Sequence, residues 1–274
     1  MKTSCLSVSL FPNIMNGEMT IREYAYFCKS IGLDAFDIGI ILLKNHTPNY
    51  IREIRTAISE VGIPLVMVTT YPDFTHPDPQ QREREFDFLV HDIALASAVG
   101  AKYLRVTAGQ AHPKTSEQDG IAWAVMYLKK AAPVSDKYGI TLVYEDHSKP
   151  GAWDYMDFSN PPAIFLEIAR QLRGTSIGIN FDTANILVAG EDTTLEVLDQ
   201  VFDQVKTIHV AETATKGKMD PVAIGTGIVP FETIFSYLKT KHFDGWLCLE
   251  EWGNQGTEGV KRAVEFVKET WEKA

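Results

Sequence analysis

At 274 residues, with 45% hydrophobic and 23% charged side chains, the chain can bury one large core and keep a soluble surface. Its net charge of −10 and pI near 5.2 lack the basic excess of a nucleic-acid-binding surface, and no apolar run approaches the ~18 residues a membrane span needs. The three cysteines, Cys5, Cys28 and Cys248, are widely spaced with no CxxC pair, which points to free thiols in a reducing compartment.

The chain opens on MKTSCLSVSLFPN. A secretory apolar region is continuous, whereas serines interrupt this one, so it reads as a first strand at 6–11 and a cytoplasmic location is the default. A helical pattern at 21–31 leads to a strand at 35–42, and one at 49–61 to a strand at 65–70. The pattern at 80–99 is the clearest, with Phe86, Leu89, Val90, Ile93 and Ala96 at helical spacing. It is followed by a strand at 103–107, then a helix at 117–137 in which Pro133 predicts a kink or break. Further strands at 141–147, 177–182, 206–211 and 246–251 alternate with helices at 162–172, 194–205, 231–240 and 259–271. Pro162 and Pro230 stand where helices like to start, and Gly32, Gly62, Gly100 and Gly139 where they like to end.

No linker or shift in composition divides the chain, so residues 1–274 read as one domain. Eight strands alternating with eight helices define an α/β fold and the number that closes as a (β/α)₈ TIM barrel. An open doubly wound sheet is the alternative, and it usually has fewer strands.

Side chains alternate across a strand. At 141–147, Leu142 and Tyr144 share one face, leaving Val143, Glu145 and His147 on the other. At 177–182, Ile177, Ile179 and Phe181 oppose Asn180 and Asp182. At 206–211, Ile208 and Val210 oppose Thr207 and His209. At 246–251, Leu247 and Leu249 oppose Cys248 and Glu250, which also turns Glu251 toward helices or solvent. Each of these strands thus has an apolar face for the helices and an inner face with one ionisable group near its C-terminal end, where this fold places its active sites. One such carboxylate is an ordinary solvated loop residue, and one inward His an ordinary core group. Glu145, Asp182, His209 and Glu250 converging together would leave uncompensated charge unless a cation joined them.

At these residues the chain resembles the xylose-isomerase-like barrel superfamily of sugar isomerases, ketose 3-epimerases, inosose dehydratases and endonuclease IV, over essentially its whole length. GLDAFDI (32–38) resembles the second-strand pattern, with Asp37 in place of the usual Glu. LVYEDH (142–147) resembles the segment carrying the first metal Glu, NFDTAN (180–185) the Asp motif and TIHVAE (207–212) the His motif. The stretch 225–251, GTGIVPFETIFSYLKTKHFDGWLCLEE, resembles the closing loop, helix and strand and is the most specific piece. There are departures. Asn185 stands where many relatives have a second His, and 211–216 lacks the Arg that ketose 3-epimerases place after the metal His. His46, His76, His91 and His112 match no endonuclease IV motif.

The resemblance implies one divalent metal on Glu145, Asp182, His209 and Glu250, with Glu145 and Glu250 also serving as base and acid. One imidazole and three carboxylates make a hard donor set, suited first to Mn²⁺ and then to Mg²⁺, Co²⁺ or Zn²⁺. The expected activity is isomerisation or epimerisation of a ketose or keto-sugar through an enediolate. The alternatives are a lyase or dehydratase expelling a β leaving group from the same enolate (inosose dehydration or keto-glycoside cleavage), and a non-enzymatic sugar-binding barrel. Asn185 and the missing Arg lean toward the lyase. Substrate contacts are expected from His147, Asn185, Glu212, Arg105 and Trp252, with Trp153 a second stacking candidate and Lys149 a solvated neighbour. A buried ion pair with Asp37 is the competing role for Arg105. The expected partner is a small sugar, with neither nucleic acid nor membrane, and self-association into a homo-oligomer is compatible with the sequence.

Overall fold

The computed structural model describes residues 1–149 and 151–274. Eight parallel strands lie in the order β1-β8-β7-β6-β5-β4-β3-β2. They are β1 (Lys2–Ser7), β2 (Phe36–Gly39), β3 (Leu65–Thr69), β4 (Tyr103–Val106), β5 (Thr141–Glu145), β6 (Gly178–Asp182), β7 (Val205–Val210) and β8 (Trp246–Glu251). The helices are α1 (Phe11–Asn16), α2 (Ile21–Ser30), α3 (Pro48–Val61), α4 (Pro79–Val99), α5 (Glu117–Tyr138), α6 (Pro162–Leu172), α7 (Asn185–Val188), α8 (Thr194–Val201), α9 (Phe231–Thr240) and α10 (Gly256–Lys273). Among the described residues, no helix is long and apolar enough to cross a membrane.

A seam between β1 and β2 closes the barrel without a regular ladder. The Thr3 carbonyl accepts the amides of Asp34 and Ala35 at 3.0 Å each, and Asp34 Oδ2 accepts the Thr3 amide at 2.8 Å. Deeper in, Ser4 Oγ donates to Asp37, whose other oxygen takes the Met67 amide at 2.9 Å. Asp37 is thus a fully buried tie across β1, β2 and β3. Burial, only partly offset by the Ser4 hydrogen bond, pushes its carboxyl up to about 6.

The alternation read from the sequence sorts the core. Leu142, Tyr144, Ile179, Phe181, Ile208, Leu247 and Leu249 pack outward beneath the helices. Tyr103, Val143 and Cys248 fill the barrel's interior with Ala35, Val66 and Met67, below the level of the ionisable groups.

Several expected boundaries move. The first strand lies at Lys2–Ser7, not 6–11. Val8–Leu10 turns as a 3₁₀ segment and Phe11–Asn16 becomes helix, with Pro12 in its first turn and Gly17 ending it at φ 81°. Residues 40–42, expected in the second strand, likewise form a 3₁₀ turn. The helix expected to reach 205 ends at Val201, and Val205 opens β7. Pro133 does not break α5, which runs for 22 residues to its Gly139 cap. Burial of Leu128, Ala131, Ala132 and Ser135 along that helix outweighs one lost hydrogen bond, a cost of about 3 kcal/mol.

Candidate metal and substrate site

The strand ends place Glu145, Asp182, His209 and Glu250 side by side at the C-terminal mouth, with one ligand atom from each lying within 4.8 Å of the others. Register explains the convergence: Glu145 aligns with Asn180, Asp182 with His209, and His209 with Cys248, two residues before Glu250. Glu145, Asp182 and His209 are buried, while 18% of the Glu250 side chain is exposed toward the cavity above.

Other side chains fix this arrangement. Asn180 Nδ2 donates to Glu145 Oε1 at 2.5 Å, and Thr207 Oγ1 donates to Asn180 Oδ1 at 2.6 Å, which sets the amide's orientation. The Nε of Arg105 lies 3.2 Å from Glu145 Oε2, and its guanidinium packs 4.3 Å from the centre of the Tyr71 ring. Asp182 Oδ1 accepts the amides of Ala184 and Asn185 at 2.7 and 3.0 Å, turning the chain into α7. Asp146 Oδ1 takes the Asp182 amide at 2.7 Å.

The His209 Nδ1 atom lies 2.5 Å from Glu145 Oε1 and 3.2 Å from Glu250 Oε2, yet neither ring nitrogen has hydrogen-bonding geometry with any partner. Lone pairs converge there without a proton well placed between them, the arrangement a cation satisfies. Electrostatics agree. Burial opposes charge on Glu145, but Arg105 and His209 overcome it and hold the carboxyl well below the usual range. Burial, then Glu250 and Glu145, push Asp182 well above it. Burial disfavours a charged His209, but Glu145 and Glu250 prevail and raise it. Without a metal, this cluster must retain protons to offset its own repulsion. The donor set and its unpartnered atoms fit a divalent ion.

Above the cluster opens a cavity of about 310 Å³. Of the residues expected to contact substrate, His147, Asn185, Glu212 and Trp252 line it, as do Trp153 and Lys149. Arg105 does not; it lies beneath Tyr71 and pairs with Glu145, so the expected Arg105–Asp37 ion pair is not formed. Lys149 Nζ donates to the Asp154 carbonyl at 3.2 Å. Glu212 is largely occupied by its own neighbourhood: its carboxylate accepts the amides of Thr213, Gly225 and Val229 at 3.1, 3.2 and 3.0 Å. It thereby ties the 225–229 loop to the end of β7, and Gly227 packs so tightly there that a Cβ would sit 2.5 Å from Glu212 Oε1. Glu212→Ala would strand these amides at about 1–3 kcal/mol each where they stay buried. The expected result is a melting temperature lower by several degrees, measured by calorimetry.

Three site residues lay beyond the sequence reading. Asp146 points away from Glu145 by strand parity and acts through a backbone amide. Tyr71 shields Arg105 from just past β3. Asp157 lies 3.5 Å from His147 Nδ1 through Oδ2, while its Oδ1 accepts the Ser159 amide and hydroxyl at 2.7 and 2.6 Å. The Asp-x-Ser spacing at 157–159 was the only sequence signal for it, an Asx-type turn.

A family model described as xylose isomerase-like TIM barrel matches residues 25–270. A Streptomyces coelicolor protein named "Putative hydroxypyruvate isomerase" is 27% identical over 256 residues, covering 87% of this chain and 88% of that one. Among solved structures, the IOLI protein with a bound zinc atom superposes with a TM-score of 0.81 at 16% identity, covering 100% of this chain and 99% of that one. The D-psicose 3-epimerase of Clostridium cellulolyticum H10, solved with D-tagatose, gives a TM-score of 0.79 at 14% identity, covering 99% of each chain. At such identities these two likenesses speak to the fold.

Proposed function

Because the chain belongs to the xylose isomerase-like TIM-barrel family, we propose that it is a divalent-metal-dependent isomerase or epimerase of a ketose or keto-sugar, with Glu145 and Glu250 as the proton-transferring pair. The observation that carries this reading is the four-residue cluster, two of whose members, Asp182 and Glu250, line a sugar-sized cavity while Glu145 and His209 lie buried beside them. Manganese suits the donors best. A bound divalent ion would polarise the substrate carbonyl and favour the enediolate left when the neighbouring C–H is deprotonated.

The chain's own groups supply the rest. Arg105 and Asn180 hold Glu145 ionised and aimed, as a general base requires. Glu250 reaches into the cavity, where it can return a proton to the adjacent carbon or oxygen. His147, whose Nδ1 lies 3.5 Å from Asp157 Oδ2, and Asn185 line the cavity and can offer hydrogen bonds to hydroxyls. Trp153 and Trp252 form walls that can stack on a sugar and exclude water.

A second reading, β-elimination from the same enolate, is favoured by Asn185 in place of a His and by the absence of Arg at 211–216. One experiment tests both. The manganese-loaded protein is incubated in D₂O with ketoses, keto-hexoses and inososes, and the products are read by NMR. Deuterium at the α-carbon with the skeleton intact is expected for isomerisation or epimerisation; loss of a β substituent would assign the lyase. Absence of both exchange and turnover across the panel, with metal bound, would leave a non-catalytic sugar-binding barrel.

A further inference from the structure

Between β5 and α6, residues 146–161 bring His147, Ser148 and Trp153 to the cavity without a helix or regular strand among the described residues. Loops longer than about 12–15 residues are uncommon in compact domains and are usually functional or disordered, so what fixes this one bears on the site. Its far half is held by backbone: Ala111 N donates to the Met156 carbonyl at 2.8 Å, and Phe158 N to the Gly109 carbonyl at 2.7 Å. Nearer the cavity, among the described residues, the one side chain from outside the loop that bonds backbone beside Trp153 is Gln110. Its Oε1 accepts the amides of Asp154 and Tyr155 at 2.9 and 3.2 Å.

Gln110 is itself fixed from the loop after β3. Its backbone amide donates to Asp73 Oδ1 and its Nε2 to Asp73 Oδ2, each at 3.0 Å. Asp73 is buried; it also takes the Thr75 hydroxyl at 3.2 Å and meets His112 Nε2 at 2.8 Å. Its own amide donates to Glu85 on α4 at 3.2 Å. The loops fit closely: Gly109 takes a φ of 133°, and a Cβ there would come within 2.6 Å of Asp73 Oδ1 and 2.8 Å of the Thr75 amide nitrogen. A carboxylate only accepts hydrogen bonds, so Asp73 turns the Gln110 NH₂ group toward itself and thereby aims Oε1 at the 154–155 amides.

We propose that Gln110 is a positioning residue for substrate binding: clamped by Asp73, it fixes the backbone at 154–155 and so seats Trp153 as a preformed wall of the cavity. The Trp153 ring meets Tyr71 and His147 edge-on, with centroids 6.4 and 6.2 Å away, within the range of aromatic contact. Without the clamp, ordering this segment would be a cost of every binding event. The inference rests on the keto-sugar reading only for what the wall meets.

Acrylamide quenching of tryptophan fluorescence reads the wall directly, with Trp153→Phe isolating the contribution of Trp153 among the five tryptophans. Gln110→Ala, at a half-buried position, is expected to raise the quenching constant of the Trp153 component about twofold or more. Hydrogen exchange of the Asp154 and Tyr155 amides should quicken about tenfold or more. Gln110→Glu keeps the acceptor but sets a carboxylate against Asp73, so at mildly alkaline pH it should behave like Gln110→Ala. Adding Asp73→Asn restores the match, because the amide introduced at position 73 can donate to the carboxylate introduced at 110, and the wild-type signal should return. General loosening of the fold would not be reversed by that second substitution. On the keto-hexose that manganese-loaded wild type exchanges in D₂O, Gln110→Ala should raise KM about tenfold and leave kcat within about 3-fold, since only the binding-competent population changes. An unchanged Trp153 signal in Gln110→Ala, no recovery in the folded double variant, or a fall in kcat at unchanged KM each overturns the proposal. If wild type exchanges no keto-hexose, the isomerase reading fails, and the fluorescence and amide-exchange results still decide this one.

Discussion

Glu145→Gln is expected to lower α-proton exchange on a keto-sugar by about 10²–10⁴-fold, the usual worth of a positioned general base. The site leaves no substitute. Glu145 is fully buried and takes the Asn180 amide on one oxygen while facing Arg105 with the other. A glutamine keeps the shape but replaces an acceptor oxygen by an N–H₂ group, which must face either the Asn180 amide donor or the Arg105 guanidinium. The variant therefore also leaves a buried donor unmatched, costing about 1–3 kcal/mol, and its melting temperature must be measured with its activity. Glu145→Asp separates the two effects: it restores the charge Arg105 needs but withdraws the carboxylate by one methylene, so stability should recover more than exchange does. Wild-type exchange in a folded Glu145→Gln protein would remove Glu145 from the base role. An Asn185→Ala change should be milder, altering affinity or product outcome more than the exchange itself.

What could be read from the sequence follows from where side chains are governed by a period. Strand alternation assigned the inner and outer faces of β5 to β8 from Leu142, Phe181, Ile208 and Leu249, and the same parity brought Glu145, Asp182, His209 and Glu250 to one place. Parity states which way a residue faces but not which inward neighbour it meets. Neither role expected for Arg105, a substrate contact or an ion pair with Asp37, is realised for that reason. Register sets Arg105 beside Val143 of the adjacent strand, two residues below Glu145, whereas Asp37 sits on β2, beyond β3, tied to Ser4 and Met67. The loops obey no period. The short helices α1 and α7 were missed because each is a turn or so long and is held by local contacts, a proline and glycine in one and the Asp182 carboxylate in the other. Asp157 reaches His147 through a loop fold that no pattern of apolar residues announces.

The same logic makes its sharpest claim at two adjacent carboxylates. Wild-type protein purified without chelator is expected to carry about one divalent ion per chain by elemental analysis, and saturating manganese should raise its melting temperature. At a free concentration 100-fold above Kd the gain is about 2.7 kcal/mol. Glu250→Gln removes a proposed ligand carboxylate beside His209. Its metal occupancy should fall at least tenfold at a fixed free concentration, and most of the thermal shift should go with it. Glu251 is the contrasting case: it is fully buried on the other face of β8, where Oε1 accepts the Gly253 amide at 2.7 Å. A glutamine can keep that acceptor, so Glu251→Gln should bind metal like the wild type and lose about 1 kcal/mol of stability or less. Because a one-residue slip of a strand exchanges its faces, the reverse pattern, metal lost in Glu251→Gln and kept in Glu250→Gln, would mean that β8 sits one residue out of register with β1 and β7. Equal metal binding in both variants and the wild type would instead detach Glu250 from the metal altogether.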